Sequence, residues 1–215
     1  MSNSISKIFA GATLMALASC TGNEAGADIA TTPTDSCENA VIETIMARRS
    51  IRKYKDTPVE REKLEQIAKC GINAPNGLNK QPWQIRIVDS KEYIDSLTAV
   101  FAAAEPERAA EPGFKNIFRN APAVIFVASP ADGSGQLDCG LMGENIVLAA
   151  QSLGLGTCCL GSPVMFMYSN ENARPFVDKL QLPDDYKLLY AIAVGYPDEQ
   201  PQAKPRDESK IKFID

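Results

Sequence analysis

Arg48, Arg49, Arg52, Lys53 and Lys55 crowd into eight positions of a 215-residue chain whose formal net charge is -5. A second basic pair, Lys204 and Arg206 in "AKPR", stands about 150 residues beyond Arg52. Positive charge concentrated locally in an acidic chain suits a small anion such as a phosphate. Nucleic acid would demand a broad basic face, so no nucleic-acid partner is expected. Arg48 and Arg49 also complement the C-terminal dipole of any helix that precedes them, and both readings stand at this stage. The chain has no histidine. That excludes Ser-His-Asp and Cys-His catalysis, His-ligated metal and imidazole acid–base chemistry. The reactive work is left to Lys, Arg, Cys, Tyr and carboxylates, or to an organic cofactor, which the composition favours.

Two further stretches offer polar or backbone groups to a ligand. In "APNGLNKQPW", Pro75 and Gly77 restrict and relax the backbone of a tight turn, while Asn76, Asn79 and Gln81 supply hydrogen-bonding amides. A plain turn with satisfied amides explains the same residues. In "TCCLGS", Cys158 and Cys159 read as small residues of a buried strand, or alternatively as a redox-active pair. The six cysteines show no C-x-x-C and no zinc-like spacing, so neither a dense disulfide framework nor a metal site is expected.

The elements that must position these residues are mixed. Val41, Ile42, Ile45 and Met46 recur at helical spacing after a start signal at Asp35 to Glu38. Thr57, Pro58 and Glu60 read as N-cap, first-turn proline and capping-box partner of a second helix with Leu64, Ile67 and Ala68, closed by Gly71. The basic cluster lies between them. "PWQIRIV" alternates like a half-buried strand, "APAVIFVAS" and "LLYAIAVGY" run apolar like central strands, and "DCGLMGENIVLAAQSLGLG" reads as a buried helix that a second subunit would cover. The order helix, helix, strand, helices, strand, helix, strand, helix, strand predicts an α+β domain without regular βαβ alternation.

The N-terminus reads as an address. Lys7 and the apolar run Ile8 to Ala18 form a secretory signal over 1–19, and "LASC" resembles the bacterial lipobox, with Cys20 as the lipidated residue. A simply cleaved signal or a mis-assigned start codon are the other readings. Residues 20–36 are small, polar and aperiodic, as in a flexible tether, leaving 37–215 as one compact domain.

Together, "RRSIRKYKDTPVEREKLEQI", "APNGLNKQPWQIRIV", "NAPAVIFVA", "DCGLMGENIVLAAQSLGLGTCCLGSP" and "LLYAIAVGYPDEQPQAKPR" resemble the FMN-dependent nitroreductase family, in the family's order over residues 39–215. The resemblance implies a homodimer, each subunit with a central, mostly antiparallel sheet flanked by helices, and FMN in two clefts at the subunit interface. It implies that Arg48 and Ser50 hold the phosphate and ribityl side, with Arg49 acting through its backbone, and that Lys204 and Arg206 join the same phosphate. Arg52 would face the ring edge where negative charge collects on reduction. The loop Pro75, Asn76, Gly77, Asn79 and Gln81 would meet the FMN bound mainly by the partner, Leu160 would cover the ring, and the Gly161 amide would reach its N5. At Leu160 the sequence departs from well-known members, which carry glutamate there.

The activity implied is two-electron transfer from a reduced nicotinamide to a nitroaromatic, quinone or similar acceptor, with no protein nucleophile. A lipid-anchored protein outside the cytoplasm, at a periplasmic or cell surface, would need another small-molecule donor, such as a quinol. A non-catalytic flavin-carrying or partner-binding lipoprotein, and an FMN-dependent dehalogenase or ene-type reductase, are the alternatives.

Overall fold

The computed structural model describes residues 39–214. The signal segment, Cys20, the tether and Cys37 lie outside the described residues. The elements run α1 (Ala40–Ala47), α2 (Arg61–Gly71), β1 (Gln84–Val88), α3 (Lys91–Ala104), α4 (Pro106–Ala109), β2 (Ala123–Pro130), α5 (Gln136–Ser152), β3 (Gly156–Leu160), α6 (Ser162–Ser169), α7 (Arg174–Asp178) and β4 (Tyr186–Gly195). This is the predicted order except that two helices, α6 and α7, stand between β3 and β4 where one was expected. The four strands form one sheet in the order β1-β2-β4-β3, with every neighbouring pair antiparallel. The fold is the expected α+β, nitroreductase-like one.

The continuous apolar run of β2 is explained by cover on both faces. Val124, Phe126 and Ala128 point to one core with Ile94 and Leu97 of α3, Val164 and Met167 of α6, and Phe176 of α7. Ala123, Ile125 and Val127 point to the other, with Leu64 and Ile67 of α2 and Met142, Ile146 and Ala150 of α5. The period of two thus splits one sequence run between two helical layers.

Two helix starts differ from the sequence reading. The α1 cap is Asn39, whose side-chain oxygen accepts from the amides of Val41 and Ile42 at 3.0 and 3.3 Å. Asp35 lies outside the described residues. Helix α2 begins at Arg61, after Thr57 and Pro58, and Glu60 makes no capping bond. Its carboxylate instead accepts from the Tyr196 hydroxyl at 2.7 Å and sits 3.4 Å from Lys63. Competition from a tertiary partner removed the capping box. Gly71 closes α2 from inside the helix and is buried there.

Candidate functional site

The basic segment 48–55 is laid against the sheet as an irregular extra edge. Ser50 bridges to Thr157 of β3, and the Ile51 amide donates to the Thr157 carbonyl at 2.8 Å. Tyr54 bridges to Pro197, the Lys55 amide donates to Tyr196 and the Asp198 amide to Lys53, both at 2.9 Å. Between the cations, Ile51 and Tyr54 are buried, and the Tyr54 hydroxyl donates to the Ile51 carbonyl at 2.7 Å. Burying two such side chains contributes about 1.5 to 3 kcal/mol each, which anchors the turn without using its charges. Desolvation raises the Tyr54 pKa far above its usual range, so the phenol stays a donor.

Glycine makes this approach possible. A Cβ on Gly156 would stand 2.7 Å from Cγ1 and 2.9 Å from Cβ of Ile51. Any side chain there would push segment 50–52 off β3.

The cations around this edge differ in their engagements. Arg48 is half-buried, with Nε 3.9 Å from a Glu144 carboxylate oxygen. Arg49 folds back, donating to the Met46 and Arg48 carbonyls at 2.6 and 2.7 Å. That is the helix-terminus role, fulfilled by Arg49. Arg52 is exposed and donates to the Ser50 carbonyl at 3.2 Å, while Glu199 accepts from the backbone amides of Arg52 and Lys53. Glu199 was not singled out in the sequence. Its partner is a backbone, and no residue pattern announces such a bond.

Strand β3 leads directly from the Ser50 bridge to Leu160 and Gly161. The Leu160 side chain is 7% exposed and packs in the core with Val164 and Met167. Gly161, at the start of α6, has no atom within 4 Å of where a Cβ would sit. Cys159 is exposed on the strand face opposite Leu160, and Cys158 is buried. Both thiols are free, and burial raises both, Cys159 to about 11. Neither thiol is lowered toward the range of a low-pKa redox pair.

The other predicted residues lie on two further stretches. Positive φ in the 75–81 loop falls on Leu78, Asn79 and Gln81, at 53°, 53° and 49°, rather than on Gly77. Asn76 supplies the turn's internal bond, its Oδ1 accepting from the Gln81 amide at 2.8 Å. Pro75 precedes this turn, and Leu78 at its tip is 90% exposed. Lys204 and Arg206 are exposed in the C-terminal stretch, where Arg206 donates to the Lys204 carbonyl at 3.1 Å. The 196–199 pairing runs antiparallel to 52–55, which directs the following residues back along the Ser50 side.

A planar cofactor with a terminal phosphate fits this set of residues. There is open space over Gly161, and nearby cations retain hydrogen-bonding capacity for an anion. Among the described residues no cluster of ligands could hold a metal.

The nitroreductase family profile matches residues 45–196. The NADPH-flavin oxidoreductase of Vibrio harveyi is 33% identical over 175 residues, covering 78% of this chain and 70% of that protein. A nitroreductase with bound FMN from Desulfitobacterium hafniense DCB-2 is similar with a TM-score of 0.73 and 28% identity, over 82% of this chain and 99% of that one. A second FMN-bound nitroreductase, from Bacteroides fragilis NCTC 9343, gives a TM-score of 0.69 and 25% identity over 82% and 100% of the two chains. With its sheet order, the segment on β3 and these likenesses taken together, the chain belongs to the nitroreductase family.

Proposed function

We propose that the protein is an FMN-dependent oxidoreductase that moves two electrons from a reduced small-molecule donor, NAD(P)H or an extracytoplasmic equivalent, to a nitroaromatic, quinone or similar acceptor. The observation that carries this is the Arg48–Arg52 segment bridged to β3 beside the open main chain of Gly161, in a family whose solved members hold FMN. Bound FMN supplies the hydride acceptance and delivery. The chain's own residues bind and orient: Arg48 and Ser50, with Lys204 and Arg206, hold the phosphate end, and Arg49 keeps the helix end in place. Arg52 sets positive charge beside the ring edge, held there by the clamp of Glu199 on its backbone. Purified protein should be yellow with about one noncovalent FMN per chain. A colourless chain that takes up no FMN on refolding with it would defeat the reading.

The working unit in this reading is a homodimer. Val41, Ile42, Ile45 and Met46 of α1 are 65, 59, 48 and 69% exposed, and Phe213 and Ile214 are 92 and 91% exposed. A patch of this kind calls for cover. A second copy supplies it and brings the loop with Asn79 to the neighbouring site. The third part of the reading is location. The "LASC" motif supports acylation of Cys20 and attachment at an extracytoplasmic membrane surface, with two acyl chains giving durable anchoring where one is marginal. There NAD(P)H is scarce, and a quinol or membrane redox donor takes its place. Fractionation with mass analysis of the N-terminal peptide tests this, and protein in the cytosol with Met1 intact would refute it.

A further inference from the structure

A cavity of about 590 Å³ opens next to Arg52 and Ser162, on the side where the oxidoreductase reading puts the reacting face. One wall is aromatic. Phe101 stacks on Phe114 with ring centroids 5.7 Å apart and meets Phe166 edge-on at 5.2 Å. The rim is charged, with Arg52, Lys53, Arg108, Lys115 and Arg119 facing Glu105, Glu111 and Asp198. Lys115 is already engaged by Asp56 at 2.8 Å. Arg108 lies over the Phe101 ring, 5.1 Å from its centroid, and neither it nor Arg119 forms an ion pair among the described residues. A guanidinium steadied on an aromatic face keeps its forked donors for a planar anion.

Arg119 and Asn120 hold positive φ, 59° and 67°, in the left-handed region that arginine seldom adopts. Side-chain amides enforce it. Asn116 Oδ1 accepts from the amides of Phe118 and Asn120, each at 2.9 Å, and Asn120 Oδ1 accepts from those of Lys115 and Asn116 at 2.8 and 3.0 Å. Backbone strain held by so many bonds is a mark of ligand sites, and here it places an arginine on the cavity.

We propose that this cavity binds the electron acceptor and selects a planar aromatic or quinoid compound bearing a carboxylate, its ring on the phenylalanine wall and its carboxylate on Arg108 and Arg119. The inference rests on the oxidoreductase reading and adds the charge of the substrate to it. For a nitroarene, NAD(P)H and a proton provide two electrons and two protons, which convert the nitro group to nitroso with loss of one water.

The test compares 4-nitrobenzoate with nitrobenzene as acceptors, in the wild type and in Arg108→Gln, Arg119→Gln and Arg119→Lys. Benzoate binding is followed separately by calorimetry. Wild type should favour the carboxylate by roughly tenfold or more in kcat/KM, the scale of one charge-assisted hydrogen bond. Each glutamine variant should cut that ratio and weaken benzoate, and Arg119→Lys should restore part of both. Preference for nitrobenzene, or benzoate binding indifferent to both arginines, would overturn the proposal. So would an unchanged acceptor ratio with a raised KM for NADPH, which would assign the arginines to the donor. A chain that holds no FMN and reduces neither compound would instead defeat the oxidoreductase reading, while benzoate binding, which needs no turnover, still judges the cavity.

Discussion

Arg52 and Arg206 carry the same charge in different settings, and their loss should be felt differently. Arg206→Ala should weaken FMN binding by about 1.5 to 3 kcal/mol, the usual worth of a hydrogen bond to a charged group. Arg52→Ala should lower the flavin's reduction potential more than its affinity, because in the proposed site that cation would face charge made only on reduction. Equilibrium dialysis and a spectroelectrochemical titration separate the two, and equal affinity losses with no shift in potential would refute the division. The thiols give a second residue-level expectation. Burial, with the nearby charge of Asp138, raises Cys139 to about 11, and burial, Cys158 and Glu144 raise Cys159 to about 11, from an ordinary 9.0. At pH 8 about one thiol in a thousand with such a pKa is ionised, so iodoacetamide should label native Cys139, which is also buried, slowly. Stability has the matching sign: the unfolded chain releases these protons first, so it is full below about pH 9 and declines as pH rises toward about 11. Urea melts across that window check it, and a midpoint rising with pH would contradict it.

At the scale of elements, the turn that carries the arginines depends on a residue with no side chain. Gly156→Ala should cost about 1 to 3 kcal/mol, as overpacking does, and loosen FMN as well, because a Cβ 2.7 Å from Ile51 displaces the Ser50 bridge. Thermal melting and FMN retention read both effects, and an alanine variant as stable and as yellow as the wild type would exclude the tight seat. Much of this architecture was legible in the sequence: the apolar runs of β2 and β4, the buried α5 and the element order are visible in hydrophobic period. Three things were not. The α2 start moved because Glu60 found Tyr196, a partner 136 residues away. Leu160 could be placed on the strand but not on its inward face, which is decided by register with β4. The arginines of the 101–119 stretch read as ordinary surface charge until the fold set Arg108 over Phe101 and forced Arg119 into the left-handed region.

For the molecule as a whole, the apolar outer face of α1 is where the proposed homodimer can be tested. If the proposed homodimer with its shared cleft is right, Ile42→Glu with Met46→Glu should shift the protein toward monomer in sedimentation velocity and lower FMN occupancy together, since the loop around Asn79 would then have no neighbouring site to complete. A stable monomer that keeps its flavin would be incompatible with a shared cleft. The sheet order has its own consequence in time. Strand β4 is the last made, yet it lies between β2 and β3, and β3 has no other strand of the sheet beside it. The sheet therefore cannot close until β4 is available to pair with β2 on one side and β3 on the other. Until then β2 can pair only with β1 and β3 with no strand of the sheet, so two apolar edges stay open while the chain waits for its last strand.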